Sequence, residues 1–250
     1  MQILSDIIQK NVERFVLTND LATFYRQYGW KNDRWTDGFR DILLLEKSVG
    51  TAARDQQITK SHILKIAQWG GLPNAERIRC LKDPLMMPLY DGMEISTVIK
   101  NDPLTAVRML SQQTIGIGPT YISKVLRFAA PTLYGAIDSR LVRVFGDGDP
   151  KSSRMRILNL KANQAESGRW FIGRDNWPNE YGTWVAILGH IAGTLNAAGI
   201  TCPHPTQFIE AELRHQGTWL PADVEMALFS YASLVIYGRP AAQIECKKPK

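Results

Sequence analysis

Thr114-Ile115-Gly116-Ile117-Gly118-Pro119-Thr120-Tyr121-Ile122-Ser123-Lys124-Val125-Leu126, followed by Ala136-Ile137-Asp138-Ser139-Arg140-Leu141-Val142-Arg143-Val144, is the most informative run of this sequence. Gly116 and Gly118 flank one apolar residue, which permits a sharp reversal and close approach of a large group to the backbone. Pro119 suits the first turn of a helix, where its missing N–H costs nothing. Ile122, Val125, Leu126 and Ala129 then give that helix a core stripe. Glycines ahead of a helix N-terminus offer free N–H groups to an anion, and DNA phosphate is one such anion. By itself Gly-Ile-Gly is equally a tight turn between two packed helices.

The surrounding chain reads as helices joined by short turns. Ile3, Ile7, Ile8, Val12 and Phe15 recur at helical spacing, and residues 35–49 contain Phe39, Ile42, Leu43 and Leu45. Thr59 caps a helix carrying Ile63, Leu64 and Ile66 that stops at Gly70-Gly71. Short helices are expected over 73–81 and 103–110, another from Asp138, and longer ones over 177–195, 205–215 and 221–237. Period-two alternation is almost absent and no βαβ pattern occurs, so the expected class is all-α. Pro131, residues 147–152 and residues 199–206 are candidate joints, and none reads as a linker between independent domains.

Thirty basic against 24 acidic residues give a net charge of +6, which favours a polyanionic partner without establishing one. Part of that excess is the terminal run Lys247-Lys248-Pro249-Lys250. No stretch is long and apolar enough to span a membrane, and the first residues lack the pattern of a secretory signal. Cys80, Cys202 and Cys246 are too scattered for a disulfide framework, a zinc site or an iron–sulfur cluster, which suits a cytoplasmic location. His62, His190, His204 and His215 have neither metal spacing nor an evident acidic partner, so no metal site is expected.

The Gly116-Ile117-Gly118 hairpin and the downstream Asp138-Ser139-Arg140-Leu141-Val142-Arg143-Val144 segment together resemble the helix-hairpin-helix DNA glycosylases, the superfamily of endonuclease III and 8-oxoguanine glycosylase. The match covers roughly residues 107–146. It implies a two-lobed helical fold with the active-site cleft between lobes. One lobe would span about 30–146, with the helix-hairpin-helix at 107–129, and the other 1–29 plus 147–250. It also implies a monomer that binds double-stranded DNA, extrudes one nucleotide and cuts the bond between base and sugar. Asp138 is then the catalytic carboxylate, stabilising positive charge on the sugar and orienting the nucleophile. A plain N-cap is the simpler reading of the same residue, and the two are compatible.

In members of the superfamily that nick the strand, a Schiff-base lysine lies two residues after the second hairpin glycine. Thr120 stands there, so the nearest reading is hydrolysis that leaves an abasic site. Lys124, one helical turn on, is the alternative amine; otherwise it touches the base or phosphate, or is solvated at a helix edge. The resemblance also makes Gly116, Gly118, Thr120, Tyr121 and Arg140 candidate DNA contacts, with Tyr121 reaching phosphate through its N–H or hydroxyl. Arg127, Arg140 and Arg143 extend the basic surface, or Arg143 braces the hairpin in an ion pair. Thr120, Lys47 and Ser48 are candidates for the base pocket or for filling the gap, although Glu46 and Lys47 equally cap a core helix. Trp30, Trp35 and Trp69 are the tryptophans expected near the site. No cofactor is expected beyond a monovalent cation at the hairpin carbonyls. Base-excision repair and defence against modified phage DNA both suit the pattern, as does a DNA-binding protein without catalysis.

Overall fold

The computed structural model describes residues 4–244. Ile3, Cys246 and the terminal lysine run lie outside the described residues. The chain is predominantly helical, as expected. Its helices are α1 (Asp6–Thr18), α2 (Leu21–Arg26), α3 (Arg40–Arg54), α4 (Lys60–Gly70), α5 (Thr97–Asn101) and α6 (Leu104–Gln113). They continue with α7 (Pro119–Ala129), α8 (Ser139–Phe145), α9 (Asn179–Ala197), α10 (Thr206–Glu210) and α11 (Pro221–Tyr237).

Local chemistry sets many of these limits. Thr59 and the His62 ring form a reciprocal cap at the start of α4, and Gly71 ends it in the left-handed conformation at φ +76°. Pro119 and Pro221 open α7 and α11 at the position that needs no N–H. Asp138 Oδ1 accepts the N–H groups of Arg140 and Leu141 at 2.9 and 3.0 Å and so starts α8.

Three expectations are corrected. Residues 73–81 form only a 3-10 turn, Ala75–Arg77, followed by a short strand, Arg79–Cys80, because that backbone pairs with the strand entering the hairpin, Thr114–Ile115. The helix expected from Trp35 begins at Arg40; Gly38 and Phe39 are both left-handed, which interrupts the helix there. The one expected over 205–215 stops at Glu210, and Arg214 beyond it is drawn into buried ion pairs. Helices α2 and α5 were not anticipated. Antiparallel two-stranded ribbons are also present, each strand two or three residues long, too short for period-two alternation to register.

Two helices run through the packing that matters here. Helix α7 packs on α3, α4 and α6, and every side chain from Tyr121 to Ala129 is buried. Helix α11 packs on α2, α8 and α9 and is apolar nearly all round, as a buried helix must be. Helix α8, assigned from the sequence to the end of the hairpin lobe, packs on α11 and on the Ala162–Gln164/Trp170–Ile172 ribbon. The buried side chains form one contiguous cluster.

Candidate active site

The hairpin turn is built by its two glycines in different ways. Gly116 has φ +93°, a conformation that L side chains rarely adopt, and an added Cβ would lie 3.3 Å from the Arg77 carbonyl oxygen. Gly118 has ordinary extended geometry with open space where a Cβ would be. Its carbonyl accepts the N–H groups of Tyr121 and Ile122. The N–H groups of Gly116, Ile117 and Gly118 have no acceptor among the described residues. Thr120 is half-buried beside them.

Asp138 is delivered to the same neighbourhood by a pinned segment. Ser123 Oγ accepts the Ile137 N–H at 3.0 Å, Trp184 Nε1 donates to the Ala136 oxygen at 3.0 Å, and the Tyr181 hydroxyl donates to the Gly135 oxygen at 3.0 Å. With both N–H donors on Oδ1, the other carboxylate oxygen of Asp138 has no hydrogen bond among the described residues. Capping and an available oxygen therefore coexist on one side chain.

Lys124 is not the solvated lysine of a helix edge. It is buried, with its amine 4.8 Å from the centre of the Trp69 ring, 5.1 Å from Trp30 and 5.7 Å from Tyr121. No hydrogen bond or ion pair to it is present among the described residues. Burial lowers its pKa below the ordinary lysine value, and Asp138 and Glu225 act in the opposite direction.

The aromatic walls are fixed by the C-terminal end of α4. Its last carbonyls are taken by Lys31 Nζ on Gln68 (2.6 Å), Trp30 Nε1 on Trp69 (2.9 Å) and the Tyr121 hydroxyl on Gly70 (3.1 Å). Trp69 donates in turn to Asp33 Oδ2 at 2.8 Å, while Asp33 Oδ1 accepts the N–H groups of Asp41 and Ile42 at the start of α3. Burial raises the Asp33 pKa.

Lys124 and Asp138 line one small cavity of about 20 Å³ together with Tyr28, Trp30, Trp69, Arg127, Glu225 and Phe229. That volume holds about one water molecule. A larger cavity, about 580 Å³, lies elsewhere, beside Lys47, Thr51, Tyr90 and residues 211–215. At its edge Glu46 and Arg214 already satisfy one another, whereas the smaller cavity holds an unpaired amine and a carboxylate with a free oxygen. Chemistry, rather than volume, selects the smaller one.

Several sequence expectations are corrected by these positions. The Tyr121 hydroxyl and N–H are both spent inside the protein, on Gly70 and Gly118, so neither is free for phosphate. Arg127 is not surface; it is buried against Glu46 at 2.5 Å. Glu46 is not a cap. It is fully buried between Arg127 and Arg214, and Arg214 also pairs with Asp223 at 2.9 Å. Arg143 braces the 147–152 segment through Asp149 at 2.6 Å rather than the hairpin. The Arg140 guanidinium donates to Ser233 Oγ at 2.8 Å and lies over Phe229 and Tyr237. Lys47 is exposed on the larger cavity; neither it nor Ser48 lines the Lys124 cavity. Trp35 donates to the Pro203 carbonyl and is also absent from that lining, whereas Trp30 and Trp69 form part of it.

Two histidines have acidic neighbours that the sequence did not reveal: Glu13 lies 3.5 Å from His190, and Asp223 lies 4.0 Å from His204. Cys202, His204 and Asp223 bring one potential ligand atom each within 4.8 Å of one another. Their donors are engaged: Arg214 binds both Asp223 oxygens, and His204 Nε2 contacts the Thr218 carbonyl at 2.8 Å. Ser123 and Glu225 are the site residues that sequence reasoning missed, since a serine inside a helix and a glutamate on an apolar helix carry no motif. Among the described residues no helix is long and apolar enough to cross a membrane. No family model, curated protein or solved structure matches this chain.

Proposed function

We propose that this chain is a DNA N-glycosylase whose hairpin grips the phosphate backbone while Asp138 acts on the anomeric carbon of an extruded nucleotide. The observation behind this reading is the placement of the Asp138 carboxylate, with one unpaired oxygen, in the same cavity as Lys124. Free N–H groups at Gly116, Ile117 and Gly118 support the grip, which would be independent of base sequence and weakened by salt.

The bond to the base breaks as positive charge builds on the sugar. An ionised Asp138 opposes that charge, and its free oxygen accepts a proton from the attacking water. Two N–H donors hold the carboxylate still, so it need not reorganise as the charge develops. A base-sized ligand does not fit in 20 Å³, so entry requires the Trp30–Trp69 wall and the Lys124 side chain to part. The test is incubation with duplex oligonucleotides bearing hypoxanthine, uracil, 8-oxoguanine or an alkylated purine. Mass spectrometry of released bases and alkali cleavage of the strand provide the readout. Absence of release from any DNA, including DNA with bulky enzymatically modified bases, overturns the reading.

Burial of Lys124 favours a second reading, in which its amine attacks the sugar and nicks the strand through an imine. An amine held among aromatic rings without a carboxylate partner is neutral more often than a solvated lysine, and only the neutral form attacks. A strand break without alkali and a borohydride-trapped adduct lost in Lys124→Gln distinguish it from hydrolysis.

A further inference from the structure

We propose that Glu225 is the proton donor of this site, handing its carboxyl proton to the departing base while Asp138 stays ionised beside the sugar. This rests on the glycosylase reading and adds a residue to it that no motif marks.

Glu225 and Phe229, one turn apart on α11, line the Lys124–Asp138 cavity. The segment leading to Asp138 runs directly against Glu225: a Cβ added at Gly135 would come within 2.7 Å of the Glu225 Cβ. The groups facing Glu225 are Arg127 and Lys124 from α7, Asp138 at the cap of α8, Tyr28, and Tyr181 from α9. The nearest cation contact is loose, with Arg127 Nε 3.9 Å from Glu225 Oε2.

Counting charges makes the assignment. Arg127, Glu46, Arg214 and Asp223 form a buried chain of two cations and two anions that is neutral by itself. Lys124 is the further buried cation, and Asp138 and Glu225 both act on it. With Asp33 buried as well, the acids outnumber the buried cations, and Glu225, whose cation contact is loose, would be a costly carboxylate if ionised there. It keeps its proton. Burial pushes its pKa up to about 8, which agrees with that count. The neighbouring acids thus differ in environment. Asp138 is half-buried at the cap of α8, whereas Glu225 is buried beside Phe229 and Tyr28, with one backbone N–H, that of Ala136, on its carboxyl group.

The proton balance closes. As the C1′–N bond breaks, its electron pair goes to the base nitrogen, which takes the Glu225 proton. Water forms the new C1′–O bond and gives a proton to Asp138. The Glu225 carboxylate left behind faces Arg127 and Lys124, and both acids reset by exchange with solvent.

The experiment compares wild type with Glu225→Gln on the base that the wild type releases and on a ring-fluorinated analogue whose departing anion is more stable. Single-turnover rates are measured across pH. Loss of a general acid slows the natural base by on the order of 10²-fold or more and the fluorinated base far less. The alkaline limb of the wild-type profile, near 8, disappears in the variant. Equal slowing of both bases, or an unchanged pH profile, overturns the role of Glu225 while leaving glycosylase activity standing. No release by wild type overturns both. Should Glu225→Gln fail to fold, Glu225→Asp keeps an acid one methylene shorter. Its alkaline limb is expected to move, and an unmoved limb overturns the proposal.

Discussion

The Lys124 amine lies 4.8 Å from the centre of the Trp69 ring, although 55 residues separate the two in the chain. Trp69 does not swing freely, because Asp33 holds its indole N–H and at the same time caps α3. One buried carboxylate thus ties an aromatic wall of the site to the start of a core helix. A desolvated cation over such rings is worth about 2 kcal/mol, which offsets part of what burial of the amine costs.

Asp138→Asn is expected to abolish base release while leaving the fold intact. Asparagine caps a helix as well as aspartate, so α8 still starts at Ser139. DNA affinity is expected to be retained or raised, because a negative charge leaves a surface that meets phosphate. Base release, thermal unfolding and a binding titration check the three parts, and normal excision by the variant removes Asp138 from the mechanism.

Substitutions at the two hairpin glycines should separate. Gly116→Ala meets a positive φ and the Arg77 carbonyl, so it lowers stability by about 1 kcal/mol or more. Gly118→Ala meets open space within the protein, so the fold tolerates it and the cost falls on DNA binding. Urea unfolding and salt-dependent DNA titrations of both variants provide the comparison.

Glu46→Gln should be among the most damaging single changes away from the cavity. It leaves two buried arginines, Arg127 and Arg214, short of an anion, and breaking a buried pair in this way costs about 3–5 kcal/mol. The denaturant midpoint should fall sharply with an unchanged m value, whereas a polar cap at a helix end would lose well under that.

Glu225 gives stability a definite pH slope. Its folded pKa, near 8, is raised above the ordinary glutamate value, so the native state binds more protons than the unfolded state between the two. Its contribution is therefore fully present below the ordinary glutamate pKa and is lost as pH rises through about 8. Glu225→Gln removes that loss, so the wild type and variant stability curves should diverge between the ordinary glutamate pKa and about 8, by a few kcal/mol at most, and run parallel above it. Parallel curves from pH 5 to 9 contradict the burial argument.

The helical class, the caps at Thr59, Pro119 and Pro221, the hairpin and the placement of Asp138 at a helix start were all legible in the residues themselves. Each depends on chemistry within a few positions of the chain: a φ that only glycine tolerates, a ring that lacks an N–H, a side-chain oxygen that reaches the next turn. The failures over 73–81 and 205–215 have a common cause, since partners distant in sequence redirected those segments. Arg79 and Cys80 pair with the strand before the hairpin, and Arg214 reaches Glu46 across 168 residues.

The sequence alone determined where the backbone reverses and where an acid begins a helix. Only tertiary packing decided which charged groups leave water. Lys124, Arg127, Glu46 and Glu225 look like ordinary surface residues in the chain, yet packing buries all four and brings Lys124, Arg127 and Glu225 around Asp138. Ionisation depends on solvation and on neighbours in space, and those quantities have no value until the helices have packed.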